Sequence, residues 1–507
     1  MMRAALSALA ALCAVFACAT AVAAVPRPNL LLITVDDMNT DSVGVFGATV
    51  AETTPNIDQL AEEGLRFERA HVQVANCMPS RNVMWSGRYP LSNKIEGFYQ
   101  VKDPGYLTLA DYAKSAGYFT AIRHKAQDST PYSPYGWDAV LDRLAGGAKL
   151  NKKDPGSYGQ STAEGIRLAK QAGKPFCLLI NIADPHLPFF GFNRKGKAIV
   201  DPFVPSRTYR PEEVAVPGFL VDDPVVRQEL AHYYSSVRRA DDAVGQVLQA
   251  LQESGEANRT LVLFLSDHGM PFPFAKTQLY HHSTSTPLIV RWPDVIKPGS
   301  VDRTHLVSAV DILPTLLDGI GEEIPGDLEG RTFLPLLRGA TQDGRDHVFK
   351  VYNENAAGGR EPMAAVESAR FLYIFNPWSN GKRTLFSATY GTATYKRMLQ
   401  LAEKDAQIAG RVQLLNHRVL EEFYDVQNDP DCLDNLIDDP AYKDQVAEYR
   451  GLLEQWLRKM QDPMLEVLLQ RDDPAVLAAF MAEQQRQTRE RKEWSRAIRE
   501  YRKTTGG

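Results

Sequence analysis

The sequence is short of cysteine, of long apolar runs and of excess charge. Of its five cysteines, Cys13 and Cys18 fall in the first 24 residues. Cys77, Cys177 and Cys432 remain, too few for the disulfide framework of a small secreted scaffold. Beyond residue 24 no apolar run approaches the roughly 20 residues that span a bilayer, so no integral membrane span is expected there. The net charge is −5 without a long basic run, which argues against nucleic acid or an anionic membrane as main partner. Internal repeats and low-complexity linkers are missing too. What remains is a chain of 507 residues, 44% hydrophobic and 23% charged, suited to one large domain and a smaller one.

The first 24 residues read as a targeting segment. Arg3 supplies a positive start, Ala4 to Ala19 form an alanine-rich apolar stretch, and Ala21-Val22-Ala23 or Val22-Ala23-Ala24 offers a small-residue cleavage site. The expectation is a signal peptide and a periplasmic or secreted protein.

Between residues 29 and 345, strand-length apolar runs alternate with amphipathic stretches. Asn29 to Val35, Thr120 to Arg123, Phe176 to Ile182, Leu261 to Ser266 and Pro287 to Arg291 suit strands buried on both faces. Pro55 to Glu63, Leu107 to Ala116, Thr162 to Ala172 and Gln228 to Glu253 carry helical periodicity. This alternation predicts an α/β fold, a doubly wound and mostly parallel sheet with helices on both faces. From residue 346 the pattern becomes short antiparallel strands followed by a helix over Asp439 to Met460. The expected division is a signal peptide (1–24), a catalytic domain (25–345), a C-terminal α+β subdomain (346–462) and a charged helical extension (463–507).

Three short motifs carry chemistry. Asp36-Asp37 directly follows the run Leu30 to Val35, and Asp267-His268-Gly269 directly follows Leu261 to Ser266. Both pairs therefore emerge at the C-terminal ends of buried strands, where α/β sheets place ligands. Taken singly, each has a bland reading as a turn or helix cap. The third motif is Cys77-Met78-Pro79-Ser80-Arg81, a cysteine with proline two residues on and arginine four on. That pattern is the signal read by formylglycine-generating enzymes, which replace the thiol with an aldehyde. The aldehyde's hydrate offers one oxygen to attack sulfur and a second to expel sulfate afterwards.

With these motifs the chain resembles the sulfatase family of the alkaline-phosphatase superfamily, over roughly residues 29 to 462. The resemblance implies a divalent cation held by Asp36, Asp37, Asp267, His268 and the formylglycine at Cys77. Calcium is the expected ion, with Mg²⁺ or Mn²⁺ as alternatives, because hard oxygen donors dominate. Many sulfatases carry asparagine where this chain has His268. The resemblance also makes Arg81, Lys125, His186 and Lys276 catalytic: Arg81 near the formylglycine, Lys125 and Lys276 on sulfate oxygens, and His186 as acid for the leaving group. It further implies a formylglycine-generating enzyme as maturation partner and a sulfated carbohydrate as substrate. The chain departs at Gln127, where sulfatases usually place histidine two residues after the strand lysine. Either His124 is repositioned by a loop, or Gln127 only orients the diol.

Within the family, Ser266 to Pro273 continuing to Tyr280, and Glu422 to Pro430, are similar to the sulfamidase (N-sulfoglucosamine sulfohydrolase) group. Pro362-Met363-Ala364 departs from that group's Pro-Met-Arg. The leading expectation is hydrolysis of N-sulfate from glucosamine. A phosphonate monoester or phosphodiester hydrolase, favoured by His268, and a non-catalytic glycan binder are the alternatives.

Overall fold

The computed structural model describes residues 27–505 except residue 145; the expected signal peptide lies outside the described residues. The strands in chain order are β1 (Asn29–Asp36), β2 (Leu65–Phe67), β3 (Ala70–His71), β4 (Phe119–Arg123), β5 (Ala139–Val140), β6 (Phe176–Pro185) and β7 (Thr260–Ser266). They continue as β8 (Leu288–Arg291), β9 (Ser300–Asp302), β10 (Val307–Ser308), β11 (His347–Glu354), β12 (Arg360–Ser368), β13 (Phe371–Phe375) and β14 (Glu421–Asp425).

Eight of them form one sheet in the order β5-β4-β6-β1-β7-β8-β2-β9. The strands from β5 to β7 run parallel, and β8 is antiparallel to both of its neighbours. Alternate residues of β1 enter different cores. Leu31, Ile33 and Val35 pack on one side with the helices Pro55–Glu62, Pro155–Gln171 and Pro224–Glu253. Leu30 and Leu32 pack on the other with the helices Leu109–Ser115 and Ile312–Gly319. The fold is the expected doubly wound α/β sheet, covered on both faces.

Two helices start earlier than the periodicity suggests, while one starts at Pro55 as expected and one at Leu109, two residues after the expected start. Asp154 caps Pro155–Gln171 through Gly156 N, and Asp223 caps Pro224–Glu253 through Val225 N, each with proline at the first helical position. The polar first turn Pro155-Gly156-Ser157-Tyr158 hides the first of these starts from an apolar pattern.

The second sheet is antiparallel, in the order β11-β12-β13-β14, as expected for the C-terminal region. The helix Lys443–Lys459 covers it, with Trp456 stacked on Phe349 and Tyr449 edge-on to Phe371. The last helix, Pro474–Thr505, packs on the body: Met481 is buried and Arg491 pairs with Glu96 at 2.5 Å. Among the described residues no helix is long and apolar enough to cross a membrane.

Candidate active site

The parallel register decides which side chains meet. Val35 at the end of β1 lies level with Ile182 of β6 and Ser266 of β7. The residues that follow on these three adjacent strands therefore leave the sheet together: Asp36-Asp37, Asp184 to His186, and Asp267-His268. Asp37 takes a left-handed backbone, φ 72°, and its N–H donates to Asp267 Oδ1 at 3.0 Å. The carboxylates are thereby locked to one another.

Cys77 opens the helix Cys77–Ser86, whose N-terminal end brings a partial positive charge to the same place. Pro79 falls in the first turn, where its missing N–H costs nothing. The thiol is buried, 3.4 Å from Asp36 Oδ1 and 3.3 Å from His268 Nε2. Burial and the adjacent Asp36 push its pKa well above the usual thiol range. This cysteine is no thiolate nucleophile as it stands.

Arg81, one turn further on, is buried, with Nη2 3.7 Å from Asp36 Oδ1. Its guanidinium donates to Asp267 Oδ2 at 2.8 Å, Thr34 Oγ1 at 2.7 Å and Asn181 Oδ1 at 2.6 Å. Ser80 Oγ adds a bond to the Asp267 carbonyl at 2.7 Å. Together they pin the Cys77 helix to the ends of β1, β6 and β7.

Two lysines stand opposite the carboxylates. Lys125 Nζ lies 2.9 Å from Asp36 Oδ2 and 3.0 Å from Asp128 Oδ2. Lys276 Nζ donates to both oxygens of Asp37 at 2.7 Å. Burial opposes the charge on Asp36, but Lys125, His186 and Arg81 hold its carboxyl well below the usual range. Asp37 is lowered against burial by Lys276 and His186. Asp267 goes the other way, pushed up to about 6 by burial and by Asp36.

The donor set suits a divalent cation. Ligating atoms of Asp36, Cys77, Asp267 and His268 all lie within 4.8 Å of one another. His268 Nδ1 donates to the Gly269 carbonyl at 3.0 Å, which turns Nε2 toward Asp37 Oδ1 at 3.2 Å and Asp267 Oδ1 at 3.7 Å. An imidazole nitrogen and two carboxylates converging in this way form a donor set that suits a metal ion. Gly269 is required here, since a β-carbon would sit 2.0 Å from the His282 carbonyl oxygen.

His186 also reaches this centre. One of its ring nitrogens lies within 4.8 Å of ligating atoms of Asp37 and Cys77. Nδ1 donates to the Leu187 carbonyl at 2.6 Å. Burial lowers the imidazole's pKa below its ordinary value, with Asp37 and Asp36 opposing.

Gln127 is the residue the fold leaves out. Strand β4 ends at Arg123, and His124 and Lys125 both adopt left-handed backbones, φ 58° and 52°. Alternation along a strand therefore stops before it reaches Gln127, which sits exposed on the following turn. Burial and the nearby Lys152 and Lys125 lower His124 to about 2, so its imidazole is neutral.

Thr34, Asn181, Ser80 and Asp128 were not singled out from the sequence. The available signal was a lone polar residue inside each otherwise apolar run: Thr34 in β1 and Asn181 in β6. The two side chains bond at 2.7 Å across adjacent strands beneath Arg81.

The sulfatase family model matches residues 28–321, and the model for the C-terminal part of N-sulphoglucosamine sulphohydrolase matches residues 267–380. N-sulphoglucosamine sulphohydrolase of Homo sapiens is 29% identical, the match covering 86% of this chain and 91% of the human one. An ulvan-active sulfatase of Formosa agariphila is 26% identical over 87% of this chain and 82% of its own. Among solved structures, a phosphonate monoester hydrolase of Agrobacterium radiobacter superposes with a TM-score of 0.63 at 20% identity, over 86% of this chain and 96% of its own. A protein in complex with its substrate D-glucosamine-2-N,6-O-disulfate superposes at 0.62 and 19% identity, over 86% and 99% of the respective chains. At these identities the superpositions speak for the fold alone. The chain belongs to the sulfatase family, with sulfamidase-like character in its C-terminal part.

Proposed function

We propose that the protein hydrolyses sulfate from a sulfated carbohydrate, with glucosamine N-sulfate as substrate group and a residue 77 matured to formylglycine. The observation that carries this reading is the position of Cys77. It opens a helix between two carboxylate-bearing strand ends, in contact with Asp36 and His268. The names of the human and Formosa relatives support sulfate removal, and the matched C-terminal model supports the N-sulfated sugar.

Once matured, residue 77 supplies a hydrated aldehyde with one hydroxyl for attack on sulfur and one for release of sulfate. A divalent cation, Ca²⁺ in this proposal, supplies Lewis acidity and is held by Asp36, Asp37, Asp267 and His268. The chain's own groups do the rest. Lys125 and Lys276 bind the sulfuryl oxygens and offset charge that builds during transfer, in a buried setting where charge acts strongly. His186, whose pKa burial lowers in the free site, takes up a proton as the anionic substrate binds and passes it to the departing nitrogen or oxygen. Arg81 keeps the nucleophile's helix in register with Asp267. Gln127, being exposed, takes no part, so the histidine usual at that position has no replacement in kind. Export by the N-terminal segment completes the reading.

The test is incubation of protein co-expressed with a formylglycine-generating enzyme with defined heparan-type oligosaccharides, reading the lost sulfate by mass spectrometry. Loss from the glucosamine nitrogen, absent in Cys77→Ala, is the expected result. Loss only from O-sulfates would move the substrate. Turnover of a phosphonate ester in place of any sulfate would favour the second reading, to which His268 lends its support.

A further inference from the structure

The segment just before the helix Pro155–Gln171 crosses the same end of the sheet. The Asn151 carbonyl lies 3.5 Å from Arg123 Nη2 at the end of β4 and accepts from Ser157 Oγ at 2.7 Å. Two residues on, Lys153 Nζ bonds Asp184 Oδ1 at 2.5 Å and the His186 carbonyl at 2.7 Å. Between them, the Lys152 carbonyl accepts from the Tyr158 hydroxyl at 2.7 Å, and that hydroxyl accepts from Ala183 N–H at 2.9 Å. The backbone of Lys152 is thus anchored beside the C-terminal ends of β4 and β6, the strands that Lys125 and His186 follow.

Its neighbour Lys153 is spent on structural bonds. Lys152 is not: half-buried, its ammonium has no ion pair or hydrogen bond among the described residues. Burial and the like charges of Lys153, Lys125 and Arg194 hold its pKa below the ordinary lysine value, against the pull of Asp36. Arg194 is exposed on the turn closed by the Phe192–Ala198 bridge and likewise has no ion pair among the described residues. A half-buried cation without a counter-charge costs stability, and an anionic ligand removes that cost.

We propose that Lys152 forms a second anion subsite that holds a carboxylate or further sulfate of the substrate's sugar chain. This rests on the sulfated-carbohydrate reading above and adds that the preferred substrate carries two anionic groups. Lys152 is a specificity residue, separate from the groups that surround the reacting sulfate.

The experiment is calorimetric titration of the Cys77→Ala protein, with Ca²⁺ present, using three sugars. They are N-sulfoglucosamine, the same sugar linked to a uronate, and its 6-O-sulfated form. Introducing Lys152→Ala is expected to cut the preference for a dianionic sugar over the monoanionic one about tenfold, the worth of one charge-assisted contact. Lys152→Arg should keep that preference. The sugar that loses it, uronate-bearing or 6-O-sulfated, identifies the anion. Equal weakening of all three, no preference in the parent protein, or no binding at all would overturn the subsite. Turnover assays keep the two readings apart. An active enzyme with an unchanged substrate ratio in Lys152→Ala loses the subsite only. An inactive one with Lys152-dependent binding loses the sulfatase reading only.

Discussion

Lys276 donates to both oxygens of Asp37 across the site, 2.7 Å to each. A buried lysine and an aspartate in left-handed backbone are thus mutually dependent. Neither burial is tolerable without the other, since an unpaired buried charge is costly.

Lys276→Ala is therefore expected to act twice. In a turnover assay kcat/KM should fall on the order of 100-fold or more, as a sulfuryl-binding cation is lost. In urea unfolding of metal-free protein the loss should be about 3 kcal/mol, because Asp37 is left without its lysine partner. Lys276→Arg should recover most of the stability and part of the rate. A full rate in Lys276→Ala would remove it from the sulfate site.

Arg81→Met should be mainly a folding lesion. The guanidinium is buried among Asp267, Thr34 and Asn181, and the hydrophobic replacement leaves all three short of a partner. A loss of about 3 to 5 kcal/mol in urea unfolding is expected. Unchanged stability would contradict the pinning role assigned here.

Gln127→Ala should change kcat/KM by no more than about twofold, as for other exposed side chains away from a site. A drop of 100-fold would place the amide in the reaction after all.

Acid sensitivity should come partly from the contact between β3 and β12. His71 is buried beside Glu367, which bonds His281 at 2.6 Å and pairs with Lys350. Burial lowers the His71 imidazole to about 3, with Glu367 opposing and Lys350 and His281 assisting. The folded value is below the unfolded one, so the folded chain binds fewer protons between pH 6.5 and 3. Stability from this group is complete above pH 6.5 and is lost as pH falls, about 1 to 2 kcal/mol by pH 5. The urea midpoint of His71→Gln should vary less over that interval. An equally steep dependence in the variant would assign the acid sensitivity elsewhere.

The strands that build the site were legible because they are buried on both faces and read as unbroken apolar runs. Asp36-Asp37 and Asp267-His268 were legible because they end such runs. Other features depend on chain pairing and were not. β2 and β9 are three-residue strands at one end of the sheet that gain their identity from neighbours far along the chain. The Thr34–Asn181 pair beneath Arg81 is visible only when β1 and β6 are aligned. The exclusion of Gln127 follows from two consecutive left-handed residues, which no side-chain pattern announces.

The most direct test of the account concerns residue 77 itself. Protein preparations with different degrees of maturation would be digested, and the fraction of the peptide carrying formylglycine at position 77 measured by mass. Each preparation would be assayed for sulfate release from an N-sulfated oligosaccharide. Turnover proportional to the converted fraction, and none in Cys77→Ala, is the predicted result. Undiminished turnover by protein retaining the Cys77 thiol would contradict it.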